Sequence, residues 1–440
     1  MNGKTMGLVV VGLLVATLLP PVLGVSSASF SLIASHRISD SVGVAMDLPP
    51  PENLDLAVEE ALARRMSIRE FTSEAVSDQD LGTLLWAAYG LTDGGRTVNP
   101  VDGHHAAVIY VLRQDAIYRY DPVNHSLVLY REGDYRHRVA QYTAPVQLGL
   151  TWDLTVSTDE NASAAEIGAI GQNIQFAANA LNLGTVVTAE IPSRLDNIGL
   201  PPHHKGRIVM PLGHPLHPYA FVDRPLWISF LPRISASDGP LTAALGERSE
   251  ATSWSSTPLS REEVSHLLWA AYGYSYYLDK SEQGNNPVKR HRTVPSAHGY
   301  YPFHIYAVTA DHTCRYFGNV VPIDLWGLPI VTFLWPICRD DNREAVSDAS
   351  APYVSRAPLL IIPVLSIQKT VSWDDLSALR LRWIWTYEAG AAAHNVLLEA
   401  TARGLAGNVA PVTDREAICS LLHLDPEHYD PMMVIPVGYA

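Results

Sequence analysis

The sequence predicts a globular protein of mixed helices and strands, built as two tandem copies of one domain in a single chain. Three observations carry that reading. The string Leu84-Leu85-Trp86-Ala87-Ala88-Tyr89-Gly90 recurs unchanged as Leu267-Leu268-Trp269-Ala270-Ala271-Tyr272-Gly273, 183 positions later. Further landmarks repeat in the same order. Arg96-Thr97-Val98 with Ile109-Tyr110 matches Arg292-Thr293-Val294 with Ile305-Tyr306, and Glu166-Ile167-Gly168 with Asn173 matches Glu388-Ala389-Gly390 with Asn395. Both copies close alike, on Met210-Pro211-Leu212-Gly213 and Ile435-Pro436-Val437-Gly438. The composition, 47% hydrophobic and 17% charged over 440 residues, is that of an ordered chain long enough for two cores. A repeat this long implies two globular units, because solenoid periods run to roughly 20–50 residues.

The landmarks set the expected organisation: an export signal or N-terminal anchor over 1–28, a linker over 29–52, domain one over 53–215, a wrapping linker over 216–239, and domain two over 240–440. Lys4 supplies a positive start, Gly7 to Leu19 an apolar run, and Leu23-Gly24 or Ser27-Ala28 a small-residue cleavage site. That run is short for a spanning helix, which needs about 20 residues, so an exported protein is expected, with an uncleaved anchor as the alternative. A net charge of −14 argues against generic nucleic-acid binding and against adhesion to anionic lipid. The three cysteines, Cys314, Cys338 and Cys419, fit no common metal spacing; two of them paired, or all buried as free thiols, are both open.

In chain order, Leu54, Ala57, Val58, Ala61 and Leu62 at helical spacing predict a helix over Asn53–Arg65. Ser77 with Asp80, and Ser260 with Glu263, predict helix starts of capping-box type, and the repeated heptapeptide is the apolar end of each helix, stopped at Gly90 and Gly273. Val108–Leu112 and Ile305–Val308 read as strands, Tyr118–Tyr130 as a hairpin about Asp121-Pro122, and the stretches from Ala144 and from Ala357 as matching core strands. Ala164–Leu181 and Tyr387–Arg403 read as a repeated long helix, with a strand following over Val186–Thr188. About 13 residues around Tyr276–Lys289 read as an insertion peculiar to the second copy, and the stretch Phe317–Tyr353, without a first-copy partner of that length, as an insertion or lid.

One basic segment is chemically pointed. In Arg64-Arg65-Met66-Ser67-Ile68-Arg69, an extended backbone puts Arg65, Ser67 and Arg69 on one side, two guanidiniums and a hydroxyl suited to phosphate oxygens. A solvated helix end is the plainer alternative for the string taken alone.

With these residues, Arg292-Thr293-Val294-Pro295-Ser296-Ala297-His298-Gly299-Tyr300-Tyr301-Pro302, and Pro211-Leu212-Gly213-His214-Pro215, the chain resembles the nitroreductase superfamily and its SagB-type dehydrogenase branch, over about 380 residues as two copies. The resemblance implies an α+β fold with a central, mostly antiparallel sheet, FMN at a dimer interface, and a flavin-dependent oxidoreductase. Here two copies in one chain would make the dimer internally, as a monomeric pseudo-dimer. Carried over residue by residue, it implies Arg65, Ser67 and Arg69 at the phosphate, His214 near the phosphate or ribityl chain, and Gly184 and Thr185 at the ring edge. Pro295, Ser296, Ala297 and Glu388 would come from the other copy.

The two copies depart from the pattern in complementary ways. Copy two has Arg248-Ser249-Glu250-Ala251 in place of the clamp, and copy one has Asn99-Pro100-Val101 in place of Pro-Ser-Ala. All intact parts therefore fall in one composite site. The resemblance further implies a ping-pong cycle between a small donor, NAD(P)H or another reduced carrier, and a small acceptor. The Lys-Tyr pair of azoline-oxidising relatives is absent, Arg380–Tyr387 standing in that region. A degenerate flavin-binding or scaffold protein is the alternative.

Overall fold

The computed structural model describes residues 44–100, 103–189, 193–217, 221–222, 227–278, 290–318, 330–370 and 381–440. The expected export signal, the linker before Val44, and most of the insertion expected after Tyr276 lie outside these.

Gly43–Ala440 forms one compact unit holding two large sheets. Sheet one runs, in spatial order, through Ala45–Asp47, Ser126–Glu132, Ala116–Asp121, Ala107–Leu112, Val146–Asp153, His204–Gly213 and Gly184–Thr185, all antiparallel. Sheet two repeats it through Trp227–Ser229, Ile330–Cys338, Thr313–Phe317, Phe303–Val308, Leu359–Ser366, Met433–Gly438 and Ala406–Gly407. One pairing differs: its edge strand Trp227–Ser229 lies parallel to Ile330–Cys338. The central strands Val146–Asp153 and Leu359–Ser366 are buried along nearly their whole length, as apolar runs covered on both faces must be.

The helices are α1 (Val58–Arg64), α2 (Asp78–Tyr89), α3 (Arg136–Val139), α4 (Glu160–Ala180), α5 (Leu241–Glu247), α6 (Arg261–Tyr272), α7 (Arg343–Asp348), α8 (Arg382–Ala402) and α9 (Arg415–Leu421). Alternation decides which residue meets which layer. Ile109 and Val111 join the large core shared by both copies, while Tyr110 and Leu112 enter a separate outer cluster; Ile305 and Tyr306 divide the same way. At the centre, α4 lies against α8. A Cβ on Gly168 would overlap the Tyr387 carbonyl, and one on Gly390 the Ala165 backbone, so these glycines set how closely the two helices approach.

Local signals explain the paired helices. Ser77 Oγ accepts from Asp80 N at 3.0 Å, and Ser260 with Glu263 forms the reciprocal box at 3.2 and 2.6 Å. Gly90 and Gly273 stop α2 and α6 in extended geometry, φ −70° and −74°, not in the left-handed form usual for a glycine stop. Their lack of a side chain is needed because the Trp86 and Trp269 rings fold back over them, donating Nε1–H to Leu91 O and Tyr274 O.

Two expectations change. The helix expected from Asn53 starts at Val58, and in the non-helical stretch before it Leu54 N donates to the Thr242 hydroxyl of α5. Of the stretch Phe317–Tyr353, expected as an insertion or lid, the described segments Ile330–Cys338 and α7 repeat Ser126–Glu132 and α3, and 319–329 lie outside the described residues. Arg343 clasps Asp341 and the Ala357 carbonyl as Arg136 clasps Asp134 and the Pro145 carbonyl, so α7 is the partner of α3. No helix among the described residues is long and apolar enough to cross a membrane.

Candidate functional site

The chain leaves α1 at Arg65 with φ −54° and ψ 123°, an extended geometry that ends the helix and starts the basic segment. Met66 and Ile68 turn into a small apolar cluster with Phe71. The alternate positions turn the other way: Arg65 is buried, Ser67 half-buried and Arg69 exposed. Backbone hydrogen bonds tie this segment to the other copy-one positions. Ile68 N donates to Thr185 O at 2.9 Å, Thr72 N to His214 O at 2.9 Å, and Leu216 N to Glu70 O at 2.9 Å. Arg65, Ser67, Arg69, Gly184, Thr185 and His214 thus share one edge of sheet one. Two details depart from the expected roles. The space beside the Gly184 Cα is taken by Ile68, which explains the glycine by packing. The His214 ring faces Glu74, at 4.0 Å.

Arg65 reaches into copy two. Its Nε donates to Arg292 O at 2.9 Å, and its Nη1 to Gln175 Oε1 on α4 at 2.9 Å. Among the described residues no carboxylate pairs with it, although it is only 2% exposed. Burial lowers its pKa, and the groups that oppose this include Tyr301, Tyr387 and Glu388, all of copy two. A buried guanidinium held by two neutral acceptors leaves its charge uncompensated, which is unfavourable unless an anion is brought to it.

Copy two supplies the facing wall. Pro295 is buried, with Ser296 and Ala297 half-buried, and Ser296 Oγ accepts from Tyr301 N at 2.9 Å. His298 and Tyr301 have φ of 50° and 47°, a strained left-handed geometry for residues with side chains. Glu388 is buried on α8, hydrogen-bonded by the Tyr272 hydroxyl, and its Oε2 has no partner. Burial pushes its pKa up to about 7, opposed in part by Tyr272, Ser296, Arg292 and Arg65. Thr185 Oγ1 is likewise buried without a partner.

The duplication provides an internal control. Glu166, the copy-one counterpart of Glu388, is fully bonded, by Tyr89 OH, His105 Nδ1, and the amides of Ala106 and Ala107, each at 2.9 Å. Copy two has Tyr301 and Pro302 where copy one has His105 and Ala106. Proline has no N–H to give, and Phe303 N, the counterpart of Ala107 N, donates to the Tyr272 hydroxyl, so Glu388 Oε2 keeps no partner. Arg248 occupies the place of Arg65, at the end of α5, and donates to Arg96 O and to Asn99 Oδ1. Asn99 stands where copy two has Pro295. Beside it, Asn99, Ala165, Gly390 and His394 line a space of only about 10 Å³, room for about one water at most. The two sides thus differ at their carboxylates, Glu388 keeping an unpartnered oxygen where Glu166 has none.

Sequence reasoning missed Arg292, Lys369 and Gln175. Arg292 stacks on Tyr272, Tyr274 and Tyr301 at 4.8, 4.1 and 5.1 Å, and Lys369 has its pKa lowered by burial and then by Arg292 and Arg315. Arg292 was visible as a repeated landmark. Nothing local marks Lys369.

Comparison with known proteins agrees with this architecture. The chain is 28% identical over 167 residues to a Methanocaldococcus jannaschii protein named as a nitroreductase, MJ1384, covering 33% of this chain and 84% of that one. A solved structure from Anabaena variabilis, also named as a nitroreductase, covers 91% of this chain and 92% of its own, at TM-score 0.60 and 13% identity, and so shares the fold of both halves. A nitroreductase in complex with FMN from Desulfovibrio desulfuricans is 26% identical over 38% of this chain and 92% of its own, with a TM-score of 0.29. The model of the Nitroreductase family matches twice, over residues 62–214 and 253–439, and the chain belongs to that family as a tandem pair.

Proposed function

We propose that this chain is an FMN-dependent oxidoreductase of SagB-like type with one composite flavin site, working as an internal pseudo-dimer. The observation that carries the proposal is Glu388, whose buried Oε2 has no partner while its counterpart Glu166 is bonded at both oxygens, together with a buried Arg65 that no carboxylate pairs among the described residues. The residues present fit a phosphate-bearing flavin: a bare guanidinium, further cations at Arg69, Arg292 and Lys369, and unpartnered oxygens on Thr185 and Glu388. When bound, FMN supplies hydride chemistry that no side chain here has.

Each part of the chain then has a task. Arg65 and Arg69 hold the phosphate, with Ser67 beside it. Pro295, Ser296 and Ala297 form a wall that excludes water, and the backbone strain at His298 and Tyr301 fixes its shape. Glu388, with a pKa near neutrality, holds or releases a proton at Oε2, and Tyr272 orients it. Donor and acceptor use the same pocket in turn, the donor being NAD(P)H or another reduced carrier. An exported location is part of the proposal, resting on the Lys4–Ala28 segment.

The test is FMN titration of flavin-free protein by fluorescence quenching. Arg65→Ala is expected to weaken binding about a hundredfold, and Arg248→Ala to leave it within about threefold. Equal losses in both variants would reject the composite site.

A further inference from the structure

A cavity of about 980 Å³ lies away from the proposed flavin site, between the inner face of sheet two and the start of α6. Its floor is apolar and buried, formed by Ala307, Cys314 and Leu359, with Leu231 closing one side. Its rim carries Arg261, Arg339, Arg343 and Arg356.

Copy one shows why the space is open. There the equivalent cross-strand pair is Val111 opposite Tyr118, where copy two has Ala307 opposite Cys314. Both positions have become smaller. Copy one also threads its own chain beneath the helix: Leu48 N donates to His125 O at 3.1 Å, and Gln79 Nε2 to Pro50 O at 2.8 Å. In sheet two the edge strand runs the other way, and the chain after it leaves Phe230 64% exposed over the cavity.

The charges have changed with the shape. At the start of α2, Asp78 accepts from Arg113 at 2.6 Å, an ion pair that closes this corner of copy one. The equivalent residues in copy two are Arg261 and Thr309. The acid has become a base and its partner has become neutral, so the corner now presents a cation. Arg343 is neutralised by Asp341 at 2.7 Å; Arg261 donates to the Phe230 carbonyl, and Arg261, Arg339 and Arg356 pair with no carboxylate among the described residues. In a chain of net charge −14, three arginines without carboxylate partners against one further lining carboxylate, Asp311, leave the rim of this apolar cavity net positive, a local reversal of sign.

We propose that this cavity binds an amphipathic monocarboxylate, its apolar chain on Ala307, Cys314 and Leu359 and its carboxylate at Arg261, Arg339 and Arg356. The pairing follows from chemistry: the floor favours removal of hydrocarbon from water, and guanidinium forks match carboxylate oxygens. The volume is within the range of small-molecule sites, about 300–1,000 Å³. This site is independent of the flavin proposal and requires nothing from it.

The experiment is calorimetric titration of the intact protein with dodecanoate, and with dodecanol as the neutral control. Saturable, one-to-one binding of dodecanoate is expected. Arg261→Asp, which restores the copy-one residue at the surface, should weaken dodecanoate about tenfold and leave dodecanol within about twofold. Cys314→Tyr combined with Ala307→Val restores the copy-one bulk and should abolish binding of both. Unfolding temperature and far-UV circular dichroism, read alongside, establish that each variant is folded. No saturable binding by the parent protein, undiminished binding by a folded Cys314→Tyr/Ala307→Val variant, or equal weakening of acid and alcohol by Arg261→Asp would each overturn the proposal.

Discussion

Glu388→Gln isolates one buried ionisation. In the folded, flavin-free chain the carboxyl has a pKa of about 7, raised from 4.5 chiefly by burial. The unfolded chain releases that proton near 4.5, so between the two values the folded state binds more proton than the unfolded state. Stability therefore falls as pH rises through this window and levels off above the folded pKa. A shift of that size is worth roughly 3 kcal/mol. Glutamine keeps the shape and the Tyr272 contact but cannot ionise. The assay is urea unfolding of both proteins at pH 4.5, 6 and 8. The stability difference, glutamine variant minus parent, is expected to grow by roughly 3 kcal/mol in favour of glutamine from the lowest to the highest pH. Taking the difference cancels groups common to both proteins, such as buried His394, whose pKa is pushed down to about 3. A difference that stays flat with pH would refute the account of Glu388 as a desolvated carboxyl with an open oxygen.

Other outcomes follow from the same geometry. Gly390→Ala drives a Cβ into the Ala165 backbone where α4 meets α8, and should cost about 1–3 kcal/mol, seen as a lower thermal midpoint. Asn99→Ala removes an acceptor from buried Arg248 and should destabilise by about 1–3 kcal/mol in urea while leaving FMN affinity unchanged. Thiol titration of the denatured, unreduced protein should find all three cysteines free, since Cys314, Cys338 and Cys419 form no disulfide in the fold.

The duplication was readable because the residues that repeat do repeated work. Trp86 and Trp269 cover their glycines, and Asn173 and Asn395 donate to Thr97 O and Thr293 O. Ser77 and Ser260 announced two helices through side-chain caps, which are local chemistry. What stayed hidden depended on partners distant in sequence. Leu54 sits at helical spacing, yet in the non-helical stretch before α1 its amide donates to Thr242, far along the chain. The likeness of α7 to α3 rests on an Asp-x-Arg clasp too short to stand out. Within the candidate site, the complementary losses at Ala251 and at Asn99-Pro100-Val101 were visible as letters. That Asn99 accepts from Arg248, and that Pro302 and the turned-away Phe303 amide leave Glu388 an open oxygen, needed the fold.

The central claim, one flavin pocket assembled from two copies, is tested most directly by the FMN-to-chain ratio of the protein saturated with FMN and freed of excess. The account predicts a ratio near one, lost in Arg65→Ala and kept in Arg248→Ala. A ratio near two, or a ratio near one that survives Arg65→Ala and disappears with Arg248→Ala, would contradict it.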